Sequence, residues 1–201
     1  MGVGGRDGAG RAGRRCTRYN ADRGAGVERP GSPAGITGLD AYAAIYADSR
    51  LWLNRGWIDY FAPQLYWSLA STGQGYGRLL DWWATQNTQR RHLWPGNATY
   101  RVNDGTTSAF ALAEIPNQVA ATRATAATAG GATGNILYNA TTTLVANGGA
   151  IVSALLAGPY ALRAIPPATP WLDAAPPSTP TIAVSEGAPR TGARTWTVRL
   201  T

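Results

Sequence analysis

Residues 57–67 read WIDYFAPQLYW, a nearly continuous apolar and aromatic run. Gly56 precedes the run, and Ser68, Ser71 and Gly73 follow it, so residues that favour turns lie on both sides. A short run of this kind is typical of a strand buried on both faces, as in a parallel sheet. The sequence therefore predicts an interior parallel strand here.

The polar atoms of this strand lie near its C-terminal end, on Gln64, Tyr66 and Trp67. In a parallel α/β sheet or barrel, ligands bind at the carboxyl ends of the strands. The three residues are therefore candidates for a binding site. The alternative is a core strand in which a neighbouring backbone satisfies the amide of Gln64.

Helical and strand patterns alternate along the rest of the chain. We predict helices over 39–53, 76–89, 112–129 and 151–156, and strands over 59–67, 91–94 and 135–139. Gly56 is suited to follow the first helix, and Pro116 fits the first turn of the third. Trp82 and Trp83 have helical spacing, which favours a core position over a sugar platform. The alternation predicts a parallel α/β architecture.

The first residues differ in composition from the rest. Of the net charge of +7, the first thirty residues carry +4, from seven Arg against three acids. We predict that residues 1–31 are a disordered Arg/Gly-rich segment. A nucleic-acid-binding arm is the alternative, but the segment has one aromatic residue, Tyr19, and no regular RGG spacing.

Several classes of site and segment are excluded by composition. Cys16 is the one cysteine and His92 the one histidine, which excludes a disulfide framework and a His- or Cys-rich metal cluster within the chain. We therefore expect no metal and no other cofactor. No run approaches the roughly 20 apolar residues of a membrane span, and no export signal is expected in these residues.

The C-terminal part changes composition again. We predict a Pro-rich linker over residues 166–180. Thr181–Val184 and Thr195–Leu200 then alternate as short strands do. Two strands are the opening of a β-sandwich module and are too few to fold independently.

Several segments resemble, in order and spacing, the glycosyl-hydrolase-like family 10. They are YADSR at 46–50, GWIDY at 56–60, PQLYW at 63–67, WW at 82–83 and LWPGN at 93–97, followed by Tyr100, Glu114 and Gln118. This family consists of bacterial, usually exported (β/α)8 barrels. The resemblance implies that residues 32–165 are a partial (β/α)8 TIM barrel, its last three to four βα units, at an extracellular or cell-envelope location. It also implies partial fibronectin type III-like strands at 181–201.

The resemblance and the strand-end argument together define a candidate substrate-binding set. Its members are Gln64, Tyr66, Trp67, Asn97, Tyr100, Tyr138 and Asn139. Aromatic faces stack on the apolar side of pyranose rings, and amides bind their hydroxyl groups, as in pockets with apolar walls and a few polar groups. The expected partner is a polysaccharide or other glycan.

A catalytic pair is not evident. Glycoside hydrolysis ordinarily needs two carboxyl groups about 5 to 10 Å apart. The acids of the barrel-like part are Asp40, Asp48 and Asp81 on predicted helices, Asp59 at the start of a strand, and Asp104 and Glu114 after a strand end. The Asp-rich strand end in the first half of the family's barrel has no counterpart here, so the catalytic residues are unknown.

Three functional hypotheses follow. The first is a glycoside-hydrolase-like protein that acts on or binds a polysaccharide, incomplete and catalytically incompetent as given. The second is a non-catalytic carbohydrate-binding protein that uses the same aromatic and amide residues. The third is an Arg-rich nucleic-acid-binding protein that uses the first thirty residues.

Overall fold

The computed structural model describes residues 20–21, 33–36, 41–172, 182–186 and 196–200, and it describes side chains at 33–36 and 41–172. The chain divides into two compact units, Met1–Pro166 and Pro167–Thr201. No helix among the described residues is both long enough and apolar enough to cross a bilayer.

Helices and strands alternate through the first unit. Its elements are β1 (Asn20–Ala21), α1 (Ala41–Ile45), α2 (Ser49–Asn54), β2 (Tyr60–Pro63), α3 (Tyr76–Gln86), β3 (His92–Leu93), β4 (Gly96–Ala98), a 3-10 helix (Thr99–Arg101), α4 (Glu114–Thr125), β5 (Ile136–Tyr138), α5 (Ala140–Leu144), a second 3-10 helix (Ala146–Gly149) and α6 (Ala150–Ala157). This mixture of helix and strand is consistent with the predicted α/β class. Within the segment predicted to be disordered, β1 is a strand, and the other residues of that segment lie outside the described ones.

The described strands of this unit are parallel. β2 pairs with β1 on one side and with β3 on the other, and β4 pairs with β5. A bridge between Gln64 and Gly96 joins the end of β2 to β4. The two residue numbers differ by the same amount as those of the pair Tyr60 and His92. β3 and β4 therefore follow β2 in one register.

The interruption between β3 and β4 lies at Pro95. Proline has no backbone N–H to donate to a sheet ladder, so it interrupts regular pairing. The pairing resumes at once, because Leu65 N donates to Gly96 O at 3.2 Å and Ile136 N donates to Pro95 O at 3.0 Å. The predicted strand over 91–94 is thus too short, because pairing continues through Gly96 and Asn97, which pair with β5.

The prediction of one continuous helix over 39–53 is also wrong. The chain forms α1 and α2, separated at Tyr46, whose φ is +56°. Asp48 begins α2 by accepting a hydrogen bond from Leu51 N at 3.0 Å on its carboxylate. A carboxylate at the N-cap satisfies an N–H that would otherwise lack a partner, which favours a new helix start at this position. Gly56, with a φ of +64°, lies just beyond the end of α2, as predicted.

The main core lies between β2, β3 and α3. Phe61 and Leu93 are fully buried and point toward the helix, where the ring of Phe61 lies 4.5 Å from that of Trp83. Trp82 and Trp83 are 7% and 0% exposed, so the core interpretation of this pair is confirmed. Full burial of each aromatic side chain contributes about 1.5–3 kcal/mol relative to exposure.

A second core cluster lies under α4 and α6. Ile115, Val119, Ile151 and Leu155 pack there around Ala98 of β4. Pro116 occupies the first turn of α4, as predicted, where no intrahelical donor is needed. The helix spans Glu114–Thr125, shorter at both ends than the predicted 112–129.

The second unit contains one antiparallel pair. β6 (Ile182–Glu186) pairs with β7 (Trp196–Leu200) over five residues each. The two predicted strands thus exist and pair. Most of the predicted linker, from residue 173 onward, lies outside the described residues, and the domain boundaries stay predictions.

Gly130 tests how closely the loop after α4 packs against the end of α3. A Cβ at this residue would lie 2.5 Å from Ala84 O and 2.9 Å from Asn87 O, and its φ is +82°. We expect Gly130→Ala to lower the free energy of unfolding by about 3–5 kcal/mol, from left-handed strain and overpacking together. Chemical denaturation measures the loss.

Gly105→Ala is the matched control. Gly105 has a φ of +80° with no atom within 4 Å of the added Cβ, so it carries the backbone strain alone. We expect a loss of about 1–2 kcal/mol for this variant. Equal losses in the two variants would contradict close packing at Gly130.

Candidate functional site

Three tyrosines meet at the C-terminal ends of the strands. The rings of Tyr66 and Tyr138 are stacked with centroids 5.9 Å apart, and the ring of Tyr100 meets them edge-on at 5.9 and 6.1 Å. Tyr100 and Tyr138 are 41% and 50% exposed, and Tyr66 is half-buried. We call these three residues the tyrosine cluster. Its members were all predicted as substrate-binding residues.

Each tyrosine comes from a different strand end. Tyr66 follows the bridge residue Gln64 after β2, Tyr100 lies in the 3-10 helix after β4, and Tyr138 ends β5. Gly96 lies beneath the Tyr66 ring, where a Cβ would approach Tyr66 Cε1 to 3.2 Å. The parallel sheet therefore brings together residues that are far apart in sequence.

Arg101 holds the loop beside the tyrosine cluster. Its Nη1 donates to Tyr66 O at 3.2 Å, and its Nη2 donates to Ser108 O at 2.8 Å. Its guanidinium also lies 4.8 Å from the centre of the Phe110 ring. Arg101 thus joins the segment after β2 to the loop after β4. Sequence reasoning missed this residue, and its position directly after Tyr100 was the one signal available.

Gln64 and Trp67 flank Tyr66 in the chain. Both are half-buried, and Trp67 packs against the main core. The carbonyl of Trp67 accepts a hydrogen bond from Gln118 Nε2 at 3.1 Å. Trp67 is therefore fixed through its backbone and its partly buried ring.

Asn97 does not lie with the tyrosines. Its side chain is fully buried, and its Nδ2 donates to Tyr76 Oη at 3.2 Å and to Gln118 Oε1 at 2.9 Å. Its Oδ1 accepts from Asn135 Nδ2 at 2.9 Å. The prediction of Asn97 as a substrate-binding residue is corrected, because its amide is enclosed and used within the protein.

Asn139 is also used by the fold. Its Oδ1 accepts from Thr142 N at 3.1 Å, and its own N–H donates to Thr142 Oγ1 at 3.0 Å, which forms a capping box at the start of α5. Its side-chain oxygen thus caps a helix that sequence reasoning missed. An Asn two residues before a Thr-rich run was the signal for this helix. The prediction of Asn139 as a sugar-binding residue stays a prediction, with its side-chain oxygen already used by the helix cap.

Asn97 belongs to a larger set that we call the buried network: Tyr76, Asn97, Gln118, Thr122 and Asn135. Tyr76 Oη lies 2.7 Å from Thr122 Oγ1, and Thr122 Oγ1 donates to Gln118 O at 2.9 Å. Asn135 Nδ2 lies within 3.1 Å of both hydroxyls. Burial raises the pKa of Tyr76 to about 12, although hydrogen bonds from its neighbours oppose that rise. The hydroxyl therefore stays protonated as part of the core.

The buried network reaches the site through Gln118 and Glu114. Gln118 Nε2 donates both to Trp67 O and to Glu114 Oε1, the latter at 2.9 Å. Glu114 Oε1 also accepts from Leu69 N at 2.7 Å. These contacts fix the chain just beyond Tyr66 to the first turns of α4.

Three of the described carboxylates have structural roles. Asp48 caps α2, Glu114 binds the chain at Leu69, and Asp104 accepts from the side chain and the backbone N–H of Thr106. Those hydrogen bonds lower the pKa of Asp104. Asp81 is exposed on α3, and Asp40 lies outside the described residues. Among the residues that the structure describes, no group of three or more His, Cys, Asp or Glu side chains could hold a metal ion.

Residues 25–111 match the family model Glycosyl hydrolase-like 10. The match covers Tyr66 and Tyr100, whereas Tyr138 lies beyond it. It supports the resemblance seen in the sequence and indicates a glycoside-hydrolase-like protein.

Curated relatives agree with this match. The chain is 43% identical over 68 residues to the Glycosyl hydrolase YngK of Bacillus subtilis (strain 168), which is 33% of the chain and 13% of that protein. It is 37% identical over 93 residues to the Glycosyl hydrolase DigH of Escherichia coli (strain K12), which is 39% of the chain and 21% of that protein. The chain thus matches about a fifth or less of the length of these relatives.

Removal of Asn97 tests the buried network. Asn97→Ala leaves buried polar groups on Tyr76, Gln118 and Asn135 without one partner each. We expect a loss of about 2–4 kcal/mol in the free energy of unfolding. Asn117→Ala, on the exposed face of α4, should change it by less than about 0.5 kcal/mol. Denaturant titration distinguishes the two, and a similar small effect at both residues would exclude an energetic role for the network.

His92 predicts a pH dependence of stability. It is 6% exposed, its Nδ1 lies 3.1 Å from Thr133 Oγ1, and its ring stacks on that of Trp94 at 5.3 Å. Burial lowers the pKa of His92, and the charge of Asp59 opposes that shift. The unfolded chain, with a His pKa of about 6.5, thus binds the proton first as pH falls.

We therefore expect stability to be constant above about pH 6.5 and to decline as pH falls below it. His92→Gln should remove this decline, because the chain has one histidine. Thermal unfolding at pH 7.5, 6.5 and 5.5 measures the effect. An unchanged decline in the variant would assign the pH dependence to other groups.

Proposed function

We propose that this protein binds a glycan at the tyrosine cluster, as the sugar-binding portion of a glycoside-hydrolase-like protein. The observation that carries the proposal is the meeting of Tyr66, Tyr100 and Tyr138, two of them about half exposed, at the C-terminal ends of three parallel strand segments. Half-exposed aromatic faces with phenol hydroxyls suit a pyranose ring, which has an apolar face and a polar rim.

The same proposal includes the architecture. Parallel strands alternate with helices, and the site lies at their carboxyl ends, as in the C-terminal part of a (β/α)8 barrel. The antiparallel pair β6 and β7 is compatible with the start of a fibronectin type III-like module. An extracellular or cell-envelope location follows from the family and belongs to the proposal.

We further propose that the described residues bind sugar without hydrolysing it. Hydrolysis ordinarily requires one carboxyl group as acid and a second as nucleophile or base. Asp48, Asp104 and Glu114 each accept hydrogen bonds that fix local structure. The non-catalytic carbohydrate-binding hypothesis is therefore favoured for this part of the protein.

Tyr138 gives the sharpest test of binding. We expect Tyr138→Ala to weaken binding of a soluble polysaccharide identified on a glycan array by at least about tenfold, equal to about 1.4 kcal/mol. Tyr138→Phe should retain the stacking face and most of the affinity. Titration calorimetry measures both, and reducing-sugar release should stay at background throughout.

Tyr42→Ala is the matched control, because Tyr42 is 46% exposed and lies on α1 outside the tyrosine cluster. Equal weakening by Tyr42→Ala and Tyr138→Ala would overturn the assigned site. Release of reducing sugar above background would overturn the absence of catalysis.

A further inference from the structure

A separate cavity lies at the other end of β5 from the tyrosine cluster. Its volume is about 460 Å³, and it is bounded by α4, by the segment before β5 and by the chain after α6. Asn135 lines it directly before β5, whereas Tyr138 ends that strand. The cavity is therefore distinct from the proposed sugar site.

The walls combine apolar surface with positive charge. Ala126, Ala132 and Leu162 supply apolar surface, and Arg123 and Arg163 supply two guanidinium groups. Among the described lining residues there is no Asp or Glu. A mostly apolar pocket with a few fixed polar groups, and of this volume, is typical of small-molecule sites.

Tyr160 organises the cationic side of the cavity. Arg123 Cζ lies 5.5 Å from the centre of the Tyr160 ring, so the guanidinium is held over an aromatic face. The backbone N–H of Tyr160 donates to Leu155 O at 2.7 Å, which ties the backbone of Tyr160 to the end of α6. Burial raises the pKa of Tyr160, so its phenol is neutral and the Arg123 charge is not cancelled by it.

The inner wall is held by hydrogen bonds. Asn135 and Thr122 line the cavity and also belong to the buried network, where Asn135 Nδ2 lies 3.0 Å from Thr122 Oγ1. Thr122 is 1% exposed. A wall whose polar groups are already hydrogen-bonded needs less ordering when a ligand enters, which lowers the cost of binding.

We propose that this cavity binds a small organic anion with a flat apolar body and one carboxylate group. The apolar body lies against Leu162, Ala126 and the Tyr160 side, and the carboxylate pairs with Arg123 and Arg163. Planar guanidinium groups suit carboxylates because they donate two parallel hydrogen bonds. This inference concerns a second site and does not depend on the proposed sugar binding.

The test uses 2-naphthoate and its neutral isostere 2-naphthamide on the full chain. We expect saturable 2-naphthoate binding, followed by ligand fluorescence, and at least tenfold weaker binding of 2-naphthamide. The double variant Arg123→Gln/Arg163→Gln should bind 2-naphthoate at least tenfold more weakly than the unchanged chain and should not discriminate between the two compounds.

Two controls establish whether the anion binds at this cavity. The double variant Arg55→Gln/Arg78→Gln removes the same charge from residues outside the cavity lining and should leave 2-naphthoate binding within twofold. Tyr138→Ala should also leave 2-naphthoate binding unchanged. A failure of the proposed sugar site can therefore be distinguished from a failure of this cavity proposal. Equal affinity for the two compounds, or equal weakening by both double Arg variants, would overturn the proposal.

Discussion

The structure depends on satisfying the polar groups that are buried between α3, β4 and α4. Tyr76, Asn97 and Gln118 are all fully buried, and each finds its hydrogen-bond partners within the protein. An unpaired polar group in such an interior costs about 1–3 kcal/mol, so these contacts restrict how the helices sit on the strands. Apolar packing alone would allow neighbouring arrangements of similar energy.

This constraint extends to the surface. Gln118 connects the buried Asn97 amide to the carbonyl of Trp67, and Glu114 binds the N–H of Leu69. The chain that carries Tyr66 is thus tied to α4 on one side, while Arg101 ties it to the following loop. These contacts hold the backbone beside Tyr66, and the three tyrosine rings then contact one another. Scaffold and site are therefore parts of one hydrogen-bonded unit.

Three of the described acidic side chains also serve the fold. A glycoside-hydrolase-like match raises the expectation of paired carboxylates. In the described part of the chain, however, Asp48, Asp104 and Glu114 accept hydrogen bonds that shape a helix start, a turn and a loop. Since the chain matches about a fifth or less of its curated relatives, the chemistry of those whole proteins is a separate matter from the proposed sugar-binding surface.

The alternation of helices and strands, the burial of Phe61 and Trp83, and the tyrosines at the strand ends could be predicted from the amino-acid sequence. Those features follow from apolar periodicity and from proline and glycine positions, which are local. The roles of Asn97 and Asn139, by contrast, became clear from the folded chain. A shift of one residue moves a side chain to the opposite face of a strand. In addition, an Asn that could bind a sugar can equally cap a helix end or bind a buried hydroxyl. Folding brings Gln118 and Asn135 to Asn97, and it orients Thr142 toward Asn139. The residue types alone therefore could not distinguish a ligand contact from a structural one.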